Sequence, residues 1–105
     1  MSIVKQILAT DKFKLSKPIK VGDNEIGELS LPFSELRGRD IVEAQKEFEA
    51  INGGPVELLE TSKDFQAFLI AKMAKVPYDT ILDELPVSDF NALTLAVYRF
   101  LLYGV

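Results

Sequence analysis

Residues 13–31 read FKLSKPIKVGDNEIGELSL, and this stretch decides the fold because apolar and polar side chains alternate along it. The apolar side chains before the turn share one face of an extended chain: Phe13, Leu15, Ile19 and Val21. Alternation with a period of two is typical of a half-buried β-strand. The sequence Gly22-Asp23-Asn24 favours a tight turn. A second apolar set, Ile26, Leu29 and Leu31, follows it. We therefore predict an antiparallel β-hairpin over residues 12–31.

Two details of this hairpin can be predicted. Pro18 has no backbone N–H to donate, so the first strand should lie at a sheet edge. The apolar phase slips between Ile26 and Leu29, which predicts a β-bulge at Gly27. The opposite face of the first strand is rich in lysine, and we interpret it as a solvated surface rather than an anion site.

After Pro32 the apolar spacing becomes helical. A first helix is predicted over residues 40–52, with Asp40 and Glu43 at capping-box spacing. Residues 53–61 should form a loop, because Asn52-Gly53-Gly54-Pro55 ends a helix and prevents its continuation. Further helices are predicted over 62–76, 78–85 and 89–103, the last with Ser88 as its N-cap. Residues 1–11 carry no clear pattern and are expected to form a loose arm. The prediction is a single α+β domain, residues 1–105, in which an N-terminal antiparallel hairpin precedes a small bundle of three to four helices over residues 40–103.

The composition excludes several classes of function. The chain has 105 residues with no histidine and no cysteine, which removes the commonest general base, the commonest metal ligand and any thiol chemistry. Its net charge of −4 disfavours a nucleic-acid partner. No apolar run approaches the ~20 residues of a membrane helix, and no signal peptide is apparent, so we expect a cytosolic protein.

No group of residues predicts catalysis or a cofactor. Asp79, Asp83 and Glu84 could hold a hard cation, but we interpret them as the solvated face of a short helix. The glycines match no phosphate-binding loop. We therefore predict a protein that is not an enzyme and has no catalytic residue, metal or cofactor.

The most apolar segments lie in the C-terminal half. Between Phe90 and Tyr103 only Asn91, Thr94 and Arg99 are not apolar, so this helix is apolar on every face. Such a helix lies in a core or is covered by a partner. Because few elements are available to surround it, we predict that part of this surface binds a partner and drives self-association. The candidate partner-binding residues are Phe65, Phe68, Leu69, Phe90, Leu93, Val97, Phe100 and Leu101, with Tyr98 and Leu102 as alternatives.

The order of these motifs resembles the phage tail assembly chaperones, short proteins encoded ahead of the tape measure protein of long-tailed phages. Three segments carry the resemblance: FKLSKPIKVGDNEIGELSL at 13–31, LPFSELRGRDIVEAQKEFEA at 31–50, and KDFQAFLIAKMAKVPYDTILDELPVSDFNALTLAVYRFLL at 63–102. The third is the most specific. The chain departs from the family pattern at Arg37-Gly38-Arg39-Asp40, where a hydroxyl cap is usual, and at Gln45, where an acidic residue is usual.

The resemblance implies a chaperone that keeps the helical tape measure protein soluble while the tail is built, with tail tube subunits as a second partner. It also implies a location in the cytoplasm of a bacterial host and absence from the mature virion. Two other interpretations stay open at this point. The chain could be a structural tail or connector subunit, or a small homo-oligomeric adaptor.

Overall fold

The computed structural model describes residues 3–104. Its regular elements are helix α1 (Ile3–Thr10), strands β1 (Lys12–Val21) and β2 (Asn24–Ser30), and helices α2 (Gly38–Asn52), α3 (Lys63–Ala74), α4 (Tyr78–Glu84) and α5 (Val87–Tyr103). Two short 3-10 turns, Phe33–Glu35 and Leu59–Thr61, lie in the connections. The predicted α+β class is confirmed, with an antiparallel hairpin that precedes the helical part.

The hairpin buries the face that the sequence predicts. Phe13 lies opposite Leu29 and Ile19 lies opposite Ile26. The register shifts between Lys14 and Ile19, so the extra residues of the bulge belong to β1 and not to β2 as predicted. Gly27 still lies at the irregularity, on the facing strand. Pro18 lies within the irregular segment of β1, where a residue without a backbone N–H can be accommodated.

The loose arm predicted over residues 1–11 is wrong for residues 3–10, which form α1. Val4 and Ile7 are 4% and 1% exposed, and the helix packs against α5. Its last turn closes when the Asp11 N–H donates to the Ile7 carbonyl at 2.9 Å, and Asp11 then adopts a φ of 58° that turns the chain into β1. Met1 and Ser2, the rest of the predicted arm, lie outside the described residues.

Two helix starts differ from their predictions. Helix α2 begins at Gly38, and the Asp40 carboxylate accepts a hydrogen bond from the Arg37 N–H at 2.8 Å. Asp40 is therefore the third helical residue and not the cap, so the predicted pairing with Glu43 is wrong. Helix α5 begins at Val87, so Ser88 lies inside its first turn and is not the N-cap.

The other helix boundaries lie close to their predictions. Ser62 caps α3 by accepting a hydrogen bond from the Phe65 N–H at 3.2 Å. This helix ends at Ala74 rather than at residue 76, because Lys75 adopts a left-handed φ of 58°. Gly53 ends α2 in the left-handed conformation (φ 84°), as its position predicts.

Helix α3 lies at the centre of the core. Eight of its 12 residues are buried, and it packs against α2, α4, α5 and β2. The Phe48 ring of α2 contacts the rings of Phe65 and Phe68, with centroids 5.8 and 5.6 Å apart. A partly buried polar contact ties the hairpin to α5, because the Asp89 carboxylate accepts hydrogen bonds from both the N–H and the hydroxyl of Ser16 at 2.9 Å. Hairpin and helices therefore share one core.

Candidate partner-binding surface

The structure divides the eight predicted partner-binding residues into two groups. Five lie in the core with at most 6% exposure: Phe65, Phe68, Leu69, Leu93 and Val97. The other three are partly buried and pack against the core from its edge: Phe90, Phe100 and Leu101. Only the second group can contact a partner while the fold stays closed.

The burial of α5 is greater than the sequence suggests, because α1 covers one of its sides. Helix α5 also packs against α3 and β1. Where α1, α3 and β1 cover α5, enough elements surround the helix, so the prediction that too few are available is wrong on these sides. On the remaining side Leu95 and Leu102 stay 49% and 41% exposed, with Tyr98 partly buried between them along the helix.

An open apolar depression lies between α1, the Phe33–Glu35 turn and the C-terminal end of α5. Its volume is about 410 Å³. Its apolar lining consists of Leu8, Ala9, Phe33 and Phe100. The rings of Phe33 and Phe100 pack against each other at a centroid distance of 5.0 Å.

A second depression, of about 400 Å³, lies on the other side of Phe100, where α5 meets the start of α2. Its apolar lining consists of Leu36, Ile41, Val42 and Leu101, together with Phe100. Because Phe100 lines both, we describe the two depressions together as the Phe100 groove.

Among the residues that the structure describes, the charged side chains that line the Phe100 groove are all basic. Lys5 and Arg99 line the first depression and Arg37 lines the second, and the nearby Asp40 carboxylate accepts a hydrogen bond from the Arg37 N–H at 2.8 Å. A neighbouring depression beyond the Phe33–Glu35 turn is instead lined by acidic residues as well as lysines: Glu35, Asp40, Glu43, Glu47, Lys72 and Lys75. In a chain of net charge −4, the Phe100 groove therefore combines an apolar floor with basic side chains at its edge.

Among residues 3–104 no cluster of acidic side chains is arranged to hold a metal ion. Asp79, Asp83 and Glu84 are exposed on α4, as expected of a solvated face. No helix within this described range is long and apolar enough to span a membrane.

Comparison with known proteins decides the family. A family model described as phage tail assembly chaperone proteins, E, or 41 or 14, matches residues 12–102. The chain belongs to the phage tail assembly chaperone family. The resemblance seen in the sequence is thereby confirmed, and such a family suggests a role without catalysis. No curated protein and no solved structure matches the chain significantly.

Several residues of the Phe100 groove in this family member are absent from the sequence-based candidates. They come from three segments that precede α5 by at least 45 positions: Leu8 and Ala9 of α1, Phe33 and Leu36 around the 3-10 turn, and Ile41 and Val42 of α2. One signal was available, since Val4, Ile7 and Leu8 have the spacing of one helical face.

Proposed function

We propose that this family member binds the tape measure protein through the Phe100 groove and keeps it soluble during tail assembly. The proposal includes action in the cytoplasm of the bacterial host, absence from the mature virion, and no catalytic activity. Delivery of tail tube subunits to the same complex is a further part of it.

The observation that carries the proposal is an open apolar groove in which several apolar side chains from separate elements come together around Phe100. Exposed apolar residues elsewhere, such as Ile51 and Val87, line neither depression. A chaperone that holds an unassembled chain needs exposed apolar surface for the client and net charge for solubility. Laying an amphipathic helix into an apolar groove is a common way to bind a helical client. Phe100 is the type of aromatic anchor that contributes strongly to such interfaces.

The proposed function is tested first without variants. The tape measure protein encoded by the same phage is expressed in bacteria with and without this chain, and the soluble fraction is measured. We expect the tape measure protein to be soluble only in the presence of the chain. A tape measure protein that stays insoluble in both cases contradicts the proposed function. Recovery of the chain from purified virions would instead favour a structural subunit.

Polar substitutions in the groove should abolish this effect. Ala9→Gln and Val42→Gln place a bulky amide in the first and second depression, and both positions are exposed, so folding should be kept. An uncompensated amide against an apolar client costs ~1–3 kcal/mol, so the double variant should lower client affinity by about tenfold or more. The measurement is the amount of tape measure protein in the soluble fraction.

The matched control is Val87→Gln combined with Ile51→Gln. Val87 and Ile51 are 73% and 64% exposed and lie outside the groove. This control should hold the client as well as the unmodified chain. Equal client solubility with the groove variant and the control would place the binding site elsewhere, with the lysine-rich face of the hairpin next to be tested.

We further propose self-association through the exposed side of α5. Leu95, Tyr98 and Leu102 lie at spacings of three and four, as on one helical face, and Leu95 and Leu102 are exposed. Light scattering at micromolar concentration should detect dimers or larger species in the absence of client. Leu95→Glu should reduce the measured mass to that of a monomer, and a strict monomer before substitution would contradict this proposal.

A further inference from the structure

We infer that the segment recognised by the Phe100 groove is an amphipathic helix with acidic residues flanking its apolar face. This inference rests on the proposed function, since it specifies the chemistry of the client at the same site. It is carried by the arrangement of the cations around the apolar floor.

The floor of the groove fits a stripe of apolar side chains. Phe100 lies between the two depressions, with Phe33 against its ring at 5.0 Å. A helix presents apolar side chains at spacings of three and four, so successive anchors can occupy depressions that lie next to each other. The floor can therefore bind any helix that has an apolar stripe, whatever charges flank the stripe.

Charged residues at the edge of the groove, Arg37 and Arg99, can discriminate among apolar helices, and we call these two residues the rim. Arg99 lines the depression on one side of Phe100, and Arg37 lines the depression on the other side. A guanidinium group can bind a carboxylate through two parallel hydrogen bonds. Within the part of the chain that the structure describes, neither depression has an acidic lining residue, and Asp40, which accepts from the Arg37 N–H, lines the neighbouring depression instead. A carboxylate entering the groove therefore meets an arginine on each side of Phe100. A helix flanked by lysine would meet like charge instead.

Other occupants fit the groove less well. A nucleic acid would meet the apolar floor, and the net charge of −4 would repel its phosphates. A second copy of the chain carries exposed acidic residues on α4, but that helix has only seven residues and buries Ile81 in the core. A client helix with its own free apolar face is the occupant that satisfies both floor and rim.

The test uses two designed peptides with the same leucine stripe, one flanked by glutamate and the other by lysine. Each is labelled with a fluorophore, and binding to the full chain is followed by anisotropy at low and at high salt. We expect the glutamate peptide to bind about tenfold more tightly at low salt, as two exposed ion pairs would allow. Added salt should reduce this preference, because it screens exposed charges.

The rim is then reversed with Arg37→Glu and Arg99→Glu together. This double variant should prefer the lysine peptide, and Arg37→Gln with Arg99→Gln should lose the preference without reversing it. The control is Lys12→Glu with Lys17→Glu, which gives the same change in net charge on exposed positions of the hairpin. It should keep the preference for the glutamate peptide.

The outcomes separate this inference from the proposed function. If both peptides bind equally well to the unmodified chain, or if the hairpin control loses the preference as the rim variants do, the inference is overturned. The same holds if light scattering shows that the peptides only displace a second copy of the chain. The function itself depends on the co-expression result, which can stand even when the charge preference fails.

Discussion

Replacing Phe65 by alanine should remove about 3–5 kcal/mol from the free energy of unfolding, the usual cost of deleting a buried aromatic side chain. Phe65 is 0% exposed at the centre of the core, with its ring 5.8 Å from that of Phe48. Domains of this size are stabilised by only ~5–15 kcal/mol, so the variant should unfold at a much lower urea concentration. Urea denaturation followed by circular dichroism measures the change.

The control for this experiment is Leu58→Ala in the connection between α2 and α3. Leu58 is 64% exposed, so its removal should change the free energy of unfolding by no more than about 0.5 kcal/mol. The comparison also decides between two roles for Phe65. A Phe65→Ala variant that unfolds like the unmodified chain but no longer holds the client would show a residue on the partner surface instead of in the core.

The substitution Ile7→Asp should destabilise the protein by about 4 kcal/mol or more, because a buried carboxyl group loses its hydration without gaining a partner. Ile7 is 1% exposed on the side of α1 that faces the core. Ile3, on the same helix, is 48% exposed, so Ile3→Asp should leave the melting temperature nearly unchanged. Thermal unfolding of the two variants side by side is the measurement.

This pair of variants tests whether residues 3–10 are part of the fold. If residues 3–10 formed a loose arm, neither substitution would change the melting temperature. Equal melting temperatures for the two variants would therefore contradict the packing of α1 against α5, and with it the first depression of the Phe100 groove.

The hairpin could be predicted from sequence because its signals are local. A period of two along residues 13–21 and the turn at Gly22 depend on neighbours in the chain. Helix α1 has only eight residues, and isolated helices shorter than about 12 residues are marginal in water. Its stability comes from contacts with α5, which begins 77 positions after α1 ends. Such distant contacts leave no local signal at Val4 or Ile7 beyond the spacing of these two residues.

The candidate site could be predicted only in part. On α5 apolar residues occupy every face, so the hydrophobic pattern does not indicate which side is buried. Phe100 and Leu101 were identified and remain partly exposed, whereas Leu93 and Val97 lie in the core. The rest of the groove depends on how α1, the Phe33–Glu35 turn and α2 come together around Phe100, which is a property of tertiary packing.

Photo-cross-linking tests the central claim most directly, since it reports which positions touch the client inside the cell. A photoreactive phenylalanine analogue is introduced singly at Ala9, Val42 and Val87, all of which are exposed. Each variant is irradiated during co-expression with the tape measure protein. Our account predicts cross-links to the tape measure protein from positions 9 and 42 and none from position 87. Cross-links from position 87 alone would contradict it.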